Sequence, residues 1–168
     1  MKTIRFSILI AMLFASFSLL AQSSPQNSFD LMKSLAGSWE GKSTMGQGPV
    51  NVSYRLTSGG SALMSEIQME MKGKSEDMIT MIHLDGNRLL LTHYCATGNQ
   101  PRMQASASPD GKTITFDFLD ATNLSSPDAA HMRSVVITFL DASHHTEAWH
   151  FTDHGKDIIA NFDLKKKS

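Results

Sequence analysis

The chain has 168 residues, with 15 Lys and Arg against 16 Asp and Glu, a formal charge of −1 and 41% hydrophobic residues. That length and apolar content suit one domain around a single core. The balanced charge excludes the basic footprint of a nucleic-acid-binding protein, and a single cysteine, Cys95, excludes an internal disulfide.

Residues 1–21 read as a secretory signal peptide. Lys2 and Arg5 precede an uncharged apolar run, Phe6 to Leu20, and Ala21 is a small residue suited to cleavage before Gln22. The rival reading is an uncleaved anchor, but the run is shorter than the ~20 residues of a spanning helix. No stable membrane span is expected after cleavage. No cysteine follows the run to carry a lipid. Export to the periplasm or the exterior is therefore expected, and loss of Lys2 and Arg5 takes the formal charge from −1 to −3.

Residues 22–28 form a polar, proline-containing lead, expected to be flexible. Ser28 is placed to cap a short helix, Phe29 to Leu35, which Gly37 ends. From Trp39 onward apolar residues alternate with period two between glycine-rich turns, the pattern of short antiparallel strands. The expected strands are 38–44, 50–56, 62–72, 77–84, 88–95, 102–107, 113–119, 133–140, 144–152 and 157–164. Residues 120–132 form the only long insertion, a natural lid or mouth loop. Lys165 to Lys167 read as a solvated tail. The expected fold is all-β: an antiparallel meander barrel of about 8–10 strands over residues 29–168, with a short N-terminal helix. Closure removes exposed edges.

Two-residue turns fix register. At Asp110-Gly111, Ala107 faces Ile114, Ala105 faces Phe116 and Met103 faces Phe118. At His154-Gly155, Phe151 faces Ile158, Trp149 faces Ala160, Glu147 faces Phe162 and His145 meets Leu164. Glu147 thus shares the inward face with Trp149, where a carboxylate is costly unless paired. It can read a ligand, form an internal ion pair, or reach water at a frayed strand end. Around Asp85-Gly86-Asn87, Ile82 and Leu84 share a face with Leu89, Leu91, His93 and Cys95. The opposite face carries Met81, His83, Leu90, Thr92 and Tyr94. Both faces are apolar enough to be covered. Register separates His83 from His93, against a shared metal.

The most chemically loaded stretch is Leu89 to Met103, with His93, Cys95, Asn99, Gln100 and Arg102 close in sequence. The strand periodicity places His93 and Cys95 on the inner wall, and Asn99 to Arg102 on a rim near the 120–132 loop. Arg102 and Gln104 point outward or sit at that rim. The candidate ligand-binding set is His93, Cys95, Asn99, Gln100, Arg102, Glu147 and Trp149. The methionines of the central strands, such as Met64, Met69, Met78, Met81 and Met103, fill a core or line an adaptable cavity. No Gly-x-Ser-x-Gly, His-Glu-x-x-His, Cys-x-x-Cys or phosphate-binding glycine loop is present, so no catalytic residue, metal or cofactor is assigned. The expected partner is a small apolar or amphipathic molecule. The alternatives are an enzyme using His93, Cys95, Arg102 and Glu147, or a haem- or metal-binding barrel.

Leu35-Ala36-Gly37-Ser38-Trp39-Glu40-Gly41 resembles the Gly-x-Trp opening of lipocalins. With Ser58-Gly59-Gly60-Ser61-Ala62-Leu63, it is more similar still to lipocalin-like, calycin-type domains of unknown function in exported bacterial proteins. The resemblance implies a ligand-binding barrel whose floor is closed by Trp39, usually under an Arg from the last strand. Here the last strand lacks an Arg, and Lys165 is the nearest cation. The cysteine pairs of many lipocalins are missing. Haem-binding ten-stranded barrels place a ligating His near the C-terminus, and His150 and His154 carry no matching motif.

Overall fold

A computed structural model describes residues 24–45, 48–71 and 73–168. The signal peptide and cleavage point read above lie outside the described residues. Helix α1 (Pro25–Lys33) is followed by ten strands. They are β1 (Gly37–Ser43), β2 (Pro49–Thr57), β3 (Ala62–Met71), β4 (Lys74–Asp85) and β5 (Arg88–Tyr94). Then come β6 (Gln100–Ala107), β7 (Thr113–Thr122), β8 (His131–Asp141), β9 (His144–Asp153) and β10 (Lys156–Lys166). Each strand pairs antiparallel with its sequence neighbours, and β1 pairs with β10 to close the barrel. The expected all-β meander barrel is the fold.

The helix begins earlier than the sequence pattern places it. Ser24, not Ser28, caps it by accepting the Asn27 amide at 3.1 Å, and Pro25 supplies a preset φ in the first turn. Residues 24–28 are thus not a flexible lead, and Ser28 is buried within the helix. Phe29, Met32 and the following Leu35 are buried and plug one end of the barrel, beside β4, β5 and β6. The Leu35 carbonyl accepts the Trp39 indole N–H at 2.7 Å, tying the plug to β1.

The register expected at both tight hairpins is present, including Met103 opposite Phe118, Trp149 opposite Ala160 and Glu147 opposite Phe162. Ile82 and Leu91 face inward together. The outer face of that hairpin is only partly covered: Leu90 is buried, but Ile79 and Tyr94 are exposed. Leu56, at the end of the β2 register that carries Tyr54 inward, lies exposed at the barrel's end. The strand β10 runs past Leu164, because Lys165 and Lys166 pair with Glu40 and Trp39. Lys166, not Lys165, stands over the Trp39 ring, with its Nζ 5.5 Å from the centroid.

Three expected loops are shorter than read. The turn between β3 and β4 ends at Gly73 and does not run on to Glu76, because Lys74 already pairs with Met71. Gln100 and Pro101 extend β6 ahead of Arg102, and the three pair with Thr122, Ala121 and Asp120. The insertion shrinks to residues 123–130. The cause is a bulge: Met103 pairs with Phe118 but Arg102 with Asp120, which leaves Leu119 as the extra residue. The strands β7 and β8 then run on beyond their last mutual pair, Asp117 with Ser134. The wall is split there, and a cleft of about 560 Å3 lined by Phe118, Leu119, Leu124 and His131 fills the gap.

Candidate functional site

The interior holds a polar cluster inside an otherwise apolar barrel. Tyr54 comes from β2, Thr80 from β4, His93 from β5, and His145, Glu147 and Trp149 from β9. Period-two alternation aims all of them inward. The Tyr54 hydroxyl donates to Glu147 Oε1, and the Trp149 indole N–H donates to Oε2 at 2.7 Å. His145 Nε2 lies 3.3 Å from the Tyr54 oxygen and 3.4 Å from Glu147 Oε1. The carboxylate is therefore ringed by donors, which suits its acceptor-only ionised form.

The electrostatics follow from that ring. Burial pushes the Glu147 carboxyl up, but hydrogen bonds from His145, Tyr54 and Trp149 and the charge of His145 outweigh it, so the group sits below its ordinary range. Burial, then the negative charge of Glu147, raises the Tyr54 phenol well above its usual value, so it stays a donor. Burial drives His93 down to about 4, against the opposing pull of Glu147, and the imidazole is neutral at pH 7.

Trp149 spans the barrel from β9 to β5. Its ring lies 4.8 Å from that of His93. Thr80 Oγ1 is 2.9 Å from His93 Nδ1, while His93 Nε2 is buried without a hydrogen-bond partner. His145 Nδ1 is also unpartnered, beneath Trp39, whose ring is 4.3 Å away edge-on. Buried polar atoms without partners are uncommon in folded proteins.

Accessibility rises away from the helical plug. His145 and Leu164 are 0% exposed, while Trp149 and Ala160 keep 7% and Ile67 and Met78 keep 8%. Further along the same inward registers, Met71, Phe118, Met132, Phe151 and Ile158 are half-buried. The helix thus forms a floor, and the opposite end is a mouth of methionine and aromatic side chains. On the outside, a cleft of about 430 Å3 between the end of β1 at Lys42 to Thr44 and the strands β9 and β10 also reaches Glu147 and Phe162.

The structure brings together three of the seven candidate residues, His93, Glu147 and Trp149. Glu147 does not reach bulk solvent at a frayed strand end; it is buried at 4% exposure. Cys95 is not on the inner wall of β5. It opens the turn after it, half-buried, and its backbone pairs with Asn99 and Gly98. Asn99 is buried at the mouth and donates to the Ala130 carbonyl at 2.8 Å, while Asn123 donates to the Gly98 carbonyl at 2.6 Å. These bonds tie the β5–β6 turn to the 123–130 loop. Gln100 and Arg102 face outward: Thr122 donates to Gln100, and Arg102 makes a two-pronged pair with Asp120 at 2.6 and 2.5 Å. Tyr54, Thr80 and His145 were absent from the candidate set. Their inward parity was readable, but not their convergence across the barrel.

The methionines divide by register. Met69, Met78 and Met103 are interior, whereas Met64 faces outward beneath Arg55, 3.6 Å from its guanidinium.

No protein-family model and no curated protein matches the chain. Among solved structures it is similar to the crystal structure of Rv2717c from M. tuberculosis, with a TM-score of 0.58, 16% identity, and coverage of 84% of this chain and 98% of that one. At that identity the likeness is one of fold. Fold and site together define a ten-stranded antiparallel barrel with a plugged floor, an apolar mouth and a buried polar cluster.

Proposed function

We propose that this barrel binds a small apolar or amphipathic molecule, entering at the mouth and resting on the Trp149–His93 layer. The observation that carries the reading is the polar cluster at the foot of an apolar mouth. Ligand sites are mostly apolar cavities with a few convergent polar groups, and here one such group, His93 Nε2, lacks a protein partner. The half-buried Phe118, Met132 and Phe151 supply adaptable apolar contact. Within this reading the chain is lipocalin-like, with Lys166 in the place over Trp39 that an Arg takes in that resemblance. It is exported through its N-terminal segment. A catalytic site built from His93, Cys95, Arg102 and Glu147 finds less support, because Arg102 lies on the outer wall and Cys95 in a turn.

Titration with N-phenyl-1-naphthylamine, a neutral hydrophobic fluorophore, tests the reading. The expected result is saturable fluorescence enhancement with quenching of tryptophan emission, the quenching being lost in Trp149→Phe. No binding of this probe, together with native mass spectra free of any copurified molecule, would overturn it.

A further inference from the structure

The charge inside the barrel narrows the chemistry of the ligand, provided the binding reading above holds. Among the described residues every Lys and Arg is exposed except Lys33, which lies on α1 over the Phe29 ring. None faces the cluster. The ionisable groups that do are Glu147, His145, His93 and Tyr54. At the mouth the inward registers end on Glu76, and on Asp153 opposite Lys156.

A carboxylate or phosphate head seated at the cluster would therefore meet Glu147 with no Lys or Arg to offset it, and the His145 ring that does offset it is already engaged at Oε1. Like charges repel strongly where water is excluded. An ammonium meets the opposite situation. Glu147 Oε2 receives one bond, from Trp149, and a carboxylate oxygen can accept a second. When His93 donates its Nδ1–H to Thr80, Nε2 is left as a bare acceptor beside the same indole. The Trp149 ring offers a π face to a cation. The Glu147 side chain keeps 5% accessibility where that of His145 has none.

We propose that the interior takes an amphiphile headed by a protonated primary amine, held by Glu147 Oε2, His93 Nε2 and the ring of Trp149, with its alkyl portion toward the mouth. The site selects a donor-rich cation and rejects fatty acids.

The experiment is displacement of N-phenyl-1-naphthylamine at pH 7 by decylamine, decanol and decanoate, each below its aggregation threshold. Decylamine is expected to displace the probe at least tenfold more tightly than decanol, and decanoate most weakly. In Glu147→Gln, decylamine should weaken at least tenfold and decanol stay within twofold. Equal affinities, a preference for decanoate, or an unchanged decylamine affinity in folded Glu147→Gln would overturn the amine assignment and leave the binding reading standing. Failure of all three compounds and of the probe would overturn both. The head-group series on the native chain decides the matter even where the variant does not fold.

Discussion

Truncating Glu147 to alanine removes the acceptor that three buried groups share. The Tyr54 hydroxyl and the Trp149 indole each lose their bond to the carboxylate, and His145 Nε2 is left with only the Tyr54 oxygen. An orphaned buried donor costs about 1–3 kcal/mol. Two such donors give about 2–6 kcal/mol, and the void left by the side chain adds to that. Relief from burying a carboxylate acts the other way by several kcal/mol. A net loss of about 2–4 kcal/mol is expected. For a domain of this size that lowers the melting temperature by roughly 6–16 °C. Urea denaturation followed by circular dichroism and by tryptophan emission measures it. Glu147→Gln, which keeps one acceptor oxygen, should lose about half as much. A change within about 0.5 kcal/mol for Glu147→Ala would refute the claim that these donors are held by the carboxylate.

His93 makes acid stability a second measurable. Its folded pKa of about 4 lies below the ordinary 6.5, so between those values the unfolded chain binds the extra proton. Stability therefore falls as pH drops from about 6.5 to 4, by about 3 kcal/mol in all, and levels off below. His93→Gln should flatten that slope in denaturation curves taken every half pH unit, and an unchanged slope would show that another group sets it. Glu147 adds a separate loss at lower pH: its pKa is depressed, so its contribution is present above about 4.5 and disappears as pH falls through the folded value. Gly41→Ala should break the seam between β1 and β10, since an added Cβ would stand 1.8 Å from the Asp163 carbonyl oxygen. A loss of about 2–4 kcal/mol, or an insoluble product, is expected, and a soluble variant with the parent's melting temperature would contradict it. Asn99→Ala should remove one of the two tethers between the 123–130 loop and the β5–β6 turn, leaving that of Asn123 on Gly98, at a cost of about 1 kcal/mol, read as faster amide exchange at Ala129 to His131. Unchanged protection there would show the tether is dispensable.

Much of the barrel was legible because parity is a local property. Two glycine turns, at Gly111 and Gly155, set the pairing of four strands, and one residue of slip would have turned Trp149 and Phe116 outward. The inward placement of Glu147 and His145 followed from the same count. What was not legible is whatever depends on the curvature of the closed sheet. Tyr54 lies 93 residues from Glu147, and their contact is set by how the barrel staggers, which no short window records. Pro101 read as a loop residue, since proline lacks a ladder donor. It sits in β6 beside the bulge at Leu119, where an interrupted ladder tolerates it. Cys95 read as the last inward residue of β5, but its amide and carbonyl are taken by Asn99 and Gly98, so the chain turns one residue early.

The cluster itself poses an energetic question that stability alone does not answer. A buried ionised group with imperfect partners is at best weakly stabilising, and apolar replacements of similar volume are often neutral or stabilising by about 1–4 kcal/mol. Replacing the cluster together, as Tyr54→Phe, His145→Leu and Glu147→Met, removes the acceptor and two of its donors at once. Trp149 is left as the one orphaned donor, at about 1–3 kcal/mol, set against the relief of no longer burying a carboxylate. The triple variant should then be at least as stable as the parent and more stable than Glu147→Ala alone. The three single losses should be strongly non-additive, as expected of groups in contact. It should also lose the discrimination between decylamine and decanoate while still binding N-phenyl-1-naphthylamine, because the apolar mouth is untouched. If instead the three losses simply add and the triple variant unfolds, the cluster is a structural bracket between β2 and β9. The argument from its cost to a ligand-reading role would then fail, even if the mouth still took up the probe.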